Sequence, residues 1–389
     1  MTDGDDAATE GDSPDEVRCG FCRMPVPGDP VEGEGGPFCS HACRDRLAET
    51  GEPFDEYHGH RRLTTGVSAL DASLPQGFPR NAFVLVSSEP GTRDRALGAE
   101  LVWRSLERGE PVVVVSFQEP PSAVVQQFLT LDWNVIPYLE RGMLRIVDCF
   151  TYRLDGQGRD RLFDRMDEWN AYLSDVAREA TTTVRDPSDI GEIGNKLDNA
   201  LEAREMVDEG IVVIDSLTEL GTLVQPVQAY DFVKDVRADV CKGRFVPVFA
   251  GATIGGGGGG GDAFPHDLTY VMDGLVELRL NDDLVADTLI KQVRIRKLNG
   301  ALVVPEWRAY EYTSRLGMVP FDPAEEMADD GGEEGAASDA DEAEASADGE
   351  EGAPEEGDRA DAGEDGDAAP DEPTPAGESA TADRSPPDG

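Results

Sequence analysis

Four of the six cysteines fall within 25 residues, as Cys19, Cys22, Cys39 and Cys43 in the stretch RCGFCRMPVPGDPVEGEGGPFCSHACRDRLAE. Their spacing is C-x2-C, sixteen residues, then C-x3-C. In a cytosolic protein such paired spacing reads as a metal site rather than a disulfide framework. CGFC makes a tight knuckle presenting two thiolates, and FCSHACRDRL puts Cys39 at a helix start with Cys43 one turn along the same face. Four sulfurs close a tetrahedron around Zn2+ and leave no position for water or substrate, so the expected role is structural. The segment has few apolar residues to bury, and metal binding has to supply the folding free energy. His41 is a spare ligand that four cysteines make unnecessary, and it is expected at the surface. Cys149 and Cys241 lie far away in apolar contexts and read as core residues.

A second stretch, FVLVSSEPGTRDRALGAEL at 83–101, runs a buried strand into a turn centred on EPGT and then into a helix. That is the local plan of a phosphate-binding loop. In such a loop G-x-x-x-x-G-K-[ST] brings the backbone close to phosphate, a lysine to its charge and a hydroxyl to magnesium. The residues that act on phosphate are missing here.

The elements that must position these residues are legible as an alternation. Strands are predicted at 82–87, 111–117, 143–149, 210–216 and 245–251, each Val/Ile-rich and continuous, as expected for strands covered on both faces. Helices are predicted at 95–107, 121–131, 161–180, 189–207 and 227–241, the fourth capped by Asp186 or Ser188 around Pro187. Strand and helix in alternation mean a largely parallel sheet with right-handed crossovers. After residue 262 the segments VMDGLVELRL, TLIKQVRIRKL and LVVPEWRAYEYT alternate in polarity and are separated by turn residues, which predicts an antiparallel extension of the sheet.

Two resemblances follow. The cysteine segment resembles treble-clef fingers of the MYM and TRASH type, which share its FCS..C ending; this implies a protein-interaction or metal-sensing module more than a sequence-specific DNA reader. Residues 63–320 resemble the KaiC-type, RadA-related members of the RecA superfamily. The matching segments are LTTGVSALDASLPQGFPRNAFVLVS, VVVVSFQEPP, GIVVIDSLTEL, VMDGLVEL and VRIRKLNG, in that order. The implied fold is α/β, the RecA-like P-loop NTPase fold, with the finger as a small N-terminal module. The chain then divides into an acidic N-terminus (1–16), the finger (17–50), the KaiC-like domain (63–322) with a glycine run at 254–262, and an acidic tail (323–389). Both ends are expected to be disordered and the glycine run to be a flexible linker.

Within that resemblance the phosphate loop is degenerate. Ser88 stands at the first glycine, Arg93 at the second, Asp94 at the lysine and Arg95 at the Ser/Thr, while Pro90, Gly91 and Thr92 match the parent pattern. Asp94 turns attraction for a polyphosphate into repulsion, and Arg93 adds bulk where the backbone must approach closely. The first lysine of the chain is Lys196, so no shift of register supplies a substitute. The helix start with Arg93 and Arg95 suits at most a small anion, solvent-exposed arginines being the plainer alternative. The resemblance places Asp215 at the magnesium-holding Walker B aspartate. It places Gln118 and Glu119 at a pair of acidic residues that activate water, and Lys297 and Asn299 at a Lys/Arg pair that reaches a neighbouring subunit's phosphate. One acid and one arginine of these sets are lost. Phosphoryl transfer depends on positioning and charge stabilisation, so these losses imply a pseudo-ATPase without bound ATP or Mg2+. Glu119, Asp215 and Lys297 then remain as vestiges.

Charge narrows the partners. The 389-residue chain carries 80 Asp/Glu against 34 Lys/Arg, a formal net charge of −46, and only five of the basic residues are lysine (Lys196, Lys234, Lys242, Lys291, Lys297). The acidic excess is spread along the chain, which reads as salt adaptation of haloarchaeal type, with high salt screening the self-repulsion. A broad basic surface for DNA is not expected, although a DNA-binding accessory of recombination stays open as an alternative, as does an ATP-binding protein with an atypical phosphate site. No basic–apolar leader and no run of 18 apolar residues occurs, so a cytoplasmic protein is expected. Protein partners are expected at the finger and tail, and a homo-oligomer stays open.

Overall fold

The computed structural model describes residues 17–54, 61–153, 167–253, 268–285 and 288–324. The glycine run, both acidic ends apart from residues 323 and 324, and the first part of the helix expected at 161–180 lie outside the described residues.

In the cysteine module, β1 (Val31–Gly33) pairs antiparallel with β2 (Gly36–Phe38), and α1 (His41–Thr50) follows. Ser40 caps α1 by accepting from the Cys43 amide at 3.2 Å, and Gly51, at φ 74°, ends it in the left-handed conformation. Phe38 is fully buried, while no residue of α1 is, so little apolar area closes this module.

The large domain opens with a two-residue hairpin, β3 (Arg62–Leu63) with β4 (Phe78–Pro79), around α2 (Ser68–Ser73). A parallel block follows: β5 (Phe83–Ser88), β6 (Val112–Ser116), β7 (Leu144–Asp148), β8 (Thr181–Thr183), β9 (Ile211–Asp215) and β10 (Val248–Thr253). Its helices are α3 (Asp94–Glu107), α4 (Pro121–Thr130), α5 (Ile136–Glu140), α6 (Glu168–Arg178), α7 (Ile190–Glu202), α8 (Leu217–Leu223) and α9 (Pro226–Val236). Then come β11 (Gly274–Val285), β12 (Thr288–Leu298), β13 (Arg308–Thr313) and β14 (Gly317–Phe321). The ten-stranded sheet runs β14-β13-β12-β11-β5-β10-β9-β6-β7-β8. Strand β11 joins β5 in parallel, and β12, β13 and β14 add on antiparallel, as the change of sequence pattern predicts.

Continuous apolar strands are explained by cover on both faces. Val84, Val114, Val213 and Phe249 pack with Leu101, Val102, Val124 and Phe128 of α3 and α4 on one side. Phe83, Val113, Val212 and Val248 pack with Ile193, Leu197, Phe232 and Val233 of α7 and α9 on the other. Both Cys149 and Cys241 are buried, as expected.

The departures have local causes. Helix α7 is capped by Asp189, whose carboxylate accepts from the amides of Gly191 and Glu192, whereas Asp186 accepts from Ser188 in the preceding turn. Helix α9 passes into a π-helical turn at Arg237–Gly243. The expected strand at 302–313 begins only at Arg308, because Pro305 has no N–H to give to a ladder. Strand β14 contains Pro320 and is tolerated because it lies at the sheet edge.

Candidate functional site

The four cysteine sulfurs lie within 4.8 Å of one another. Cys22 Sγ is 3.7 Å from Cys39 Sγ, and Cys39 Sγ is 3.5 Å from Cys43 Sγ. A Zn–S bond of about 2.3 Å requires tetrahedron edges of about 3.8 Å, so the four thiols fit one zinc ion. Cys39 stands one residue ahead of the Ser40 cap rather than within the helix, and Cys43 falls in the first turn. Burial pushes the Cys19 thiol up, but amides around Cys39, Cys22 and Phe21 outweigh it and hold the group at about 6. His41 is exposed, and the metal set among the described residues is the four cysteines alone.

The loop of residues 88–95 follows the carboxyl end of β5, the strand that lies between β10 and β11 in the sheet. Its backbone turns through two residues of positive φ before α3 begins. Arg93, at the second glycine position, has φ 60° and ψ 40°, the left-handed conformation that a glycine adopts without strain. Gly91 has φ 97°, and a Cβ there would come within 3.3 Å of Leu280 Cδ1. The loop is stitched to its surroundings by contacts that sequence reasoning misses. Thr92 Oγ1 donates to the Glu89 carbonyl at 2.7 Å, and the Leu280 amide donates to Glu89 Oε2 at 2.9 Å. Buried Tyr310 donates its hydroxyl to the Thr92 carbonyl at 2.7 Å. Tyr310 lies 218 positions from Thr92, so no local signal marks it.

Arg95 decides what the site can do. Its guanidinium donates to Glu119 Oε1 at 2.6 Å and to Gln118 Oε1, and Gln118 Nε2 donates to Ser216 Oγ at 2.7 Å. One chain of contacts thus ties the start of α3 to the segment after β6 and to the end of β9. Asp94 occupies the first turn of α3, where a carboxylate complements the helix dipole. Asp215 ends β9 half-buried. Burial pushes its carboxyl up to about 6; Arg95 opposes the rise, while Asp94 and Glu119 add to it. Among the described residues neither Asp94 nor Asp215 takes a side-chain hydrogen bond or ion pair, whereas Glu119 is committed to Arg95.

The residues expected to act in trans are used at home. Lys297 Nζ donates to the carbonyls of Thr269 and Met272 at 3.0 and 2.8 Å. The Asn299 amide donates to the Asp273 carbonyl at 2.7 Å. The Asp273 carboxylate in turn accepts from Arg237 twice, at 3.0 and 2.9 Å, from Lys242 at 3.1 Å and from the Phe83 amide at 3.1 Å. This buried ion cluster locks the start of β11 against β5 and the π-helical turn.

Comparison with known proteins agrees with this architecture. Residues 63–319 match the family model described as ATPase: KaiC. The chain is similar to a UPF0273 protein of Pyrococcus horikoshii, with 29% identity over 57% of this chain and 79% of the relative. It is also similar to a UPF0273 protein of Thermotoga maritima, at 26% identity over 67% of this chain and 96% of the relative. Among solved structures, a KaiC-like protein from Pyrococcus horikoshii overlays with a TM-score of 0.50 at 16% identity, covering 67% of this chain and 99% of the other, a likeness of fold. No helix among the described residues is long and apolar enough to cross a membrane. With the family match spanning most of the chain, this protein belongs to the KaiC ATPase family.

Proposed function

We propose that this chain is a non-catalytic member of its family, a scaffold or regulatory protein whose nucleotide site has been replaced by an internal ion-pair network and whose finger holds a structural zinc ion. The observation that carries the reading is the pairing of Arg95 with Glu119 and Gln118 beside Asp94. A guanidinium has donors only and cannot coordinate magnesium. Asp94 repels a polyphosphate, and Gln118 has no basicity with which to activate water. The residues present therefore do not fit ATP–Mg2+, and no hydrolytic step is drawn through them.

The zinc site supports an attachment role for the N-terminal module, because four sulfurs leave no open coordination position. The wide acidic excess supports work in high salt, inside the cell. The test is a nucleotide titration in molar KCl, with and without Mg2+, beside a hydrolysis assay against a Glu119→Gln control. We expect no binding at micromolar ATP and no turnover above the control; either one refutes the reading. For the scaffold role, pull-downs from a high-salt lysate with wild type and Cys39→Ser should differ in at least one retained protein. Identical retention would remove the finger from that role.

A further inference from the structure

A cavity of ≈ 50 Å³ lies directly beneath the degenerate loop, between α3, α4 and the sheet. Its walls are apolar, with Val102, Val124, Phe128 and Phe249 among them. Two small residues on α3, Gly98 and Ala99, also line it, where larger side chains would fill the space. Its polar lining includes Asp94, Arg95 and Asp215.

These groups are not equivalent. Arg95 is satisfied by Glu119 and Gln118, as described above. Among the described residues no side-chain hydrogen bond or ion pair closes on the carboxylate of Asp94 or of Asp215, although both line the same cavity and Arg95 acts on Asp215 through space. With the one guanidinium of the lining, Arg95, already neutralised by Glu119, the two carboxylates leave a negative mouth over a hydrophobic floor. An unpaired charge that is partly withdrawn from water is costly, and a cation brought against it recovers part of that cost. An inorganic cation would satisfy the carboxylates and gain nothing from the valine and phenylalanine walls. An alkylammonium satisfies both, its head between Asp94 and Asp215 and its short chain in the cavity. The space corresponds to about four water-sized spheres, enough for a chain of a few carbons.

We propose that the phosphate loop of this protein has been inverted in sign and that Asp94, Asp215 and the cavity under α3 form a binding site for a small primary amine in its ammonium form. The inference rests on the reading that the site no longer takes ATP. The substitution at 94 is then more than a loss: it exchanges a fixed ammonium, the lysine of the parent loop, for a receptor of one.

The test is calorimetric titration of the full-length protein with methyl-, ethyl-, propyl- and butylammonium at low and at molar KCl, with ATP as a separate arm. Burying one methylene is worth a factor of about four in affinity. The dissociation constant should therefore fall about fourfold per added carbon until the cavity is full. Asp215→Asn and the gentler Asp94→Asn should each weaken butylammonium by about tenfold or more, as loss of one charge-assisted contact does. Ala99→Leu should abolish the chain-length dependence while leaving methylammonium binding in place. A flat series or unchanged affinity in Asp94→Asn would each overturn the proposal. Micromolar ATP binding would overturn this inference together with the reading it rests on, whereas a flat series without ATP binding overturns this inference only.

Discussion

Glu100 offers the sharpest physical test of how α3 is held. It sits two turns below the loop, fully buried, accepting from the Met318 amide at 2.7 Å and from Arg104 at 3.4 Å. Burial pushes its carboxyl up to about 7, against the pull of the Met318 amide and of Arg104. The unfolded value is near 4.5. Because the folded state holds the proton more tightly, this group's stabilising contribution is present below about 4.5 and is lost as pH rises through about 7. At ~1.36 kcal/mol per pH unit the loss amounts to about 3 kcal/mol. Glu100→Gln keeps an acceptor for Met318 and removes the titration. Denaturant unfolding of both proteins at fixed salt from pH 4 to pH 8 should show the variant gaining on the wild type by up to about 3 kcal/mol, all of it between pH 4.5 and 7. The difference between the two curves cancels the opposite slopes expected from Asp273 and Glu311, whose carboxyls are held low by Arg237 and Lys291 respectively despite burial. If the two proteins keep parallel pH profiles, the burial argument for Glu100 is wrong.

Two further perturbations probe the site from other sides. Arg93→Gly relieves a left-handed non-glycine residue but adds freedom to the unfolded chain, so it should be neutral or stabilising by up to about 1 kcal/mol in thermal unfolding; a loss larger than that would mean that the Arg93 side chain makes a contact that matters. Cys43→Ser should abolish stoichiometric zinc by elemental analysis and remove the dispersed amide resonances of residues 17–50, while the signals of the large domain persist; retained zinc would move the metal away from the four-sulfur set.

Much of this architecture was legible in advance because the physics behind it is local or periodic. Runs such as VVVVSF and IVVID declare doubly covered strands, and the spacing of four cysteines declares a metal site. That a carboxylate, Asp94, follows the EPGT turn is readable from the sequence alone. The edge strands were not readable in this way. Thr181–Thr183 is too short for periodicity to show, and Gly317–Phe321 carries a proline that argues against a strand until its edge position is known.

Fold class, the cysteine set and the acid and arginine at positions 94 and 95 can be read along the chain, since each depends on residue type at a spacing. Only the tertiary structure decided what those residues do instead. Whether Arg95 is a free cation or the partner of Glu119, and whether Lys297 reaches outward or holds the carbonyls of Thr269 and Met272, depends on which groups the sheet brings within 3 Å. The same holds for the apolar cavity that Asp94 and Asp215 share: it is lined from β5, α3, β6, α4, β9 and β10, and no stretch of sequence contains it.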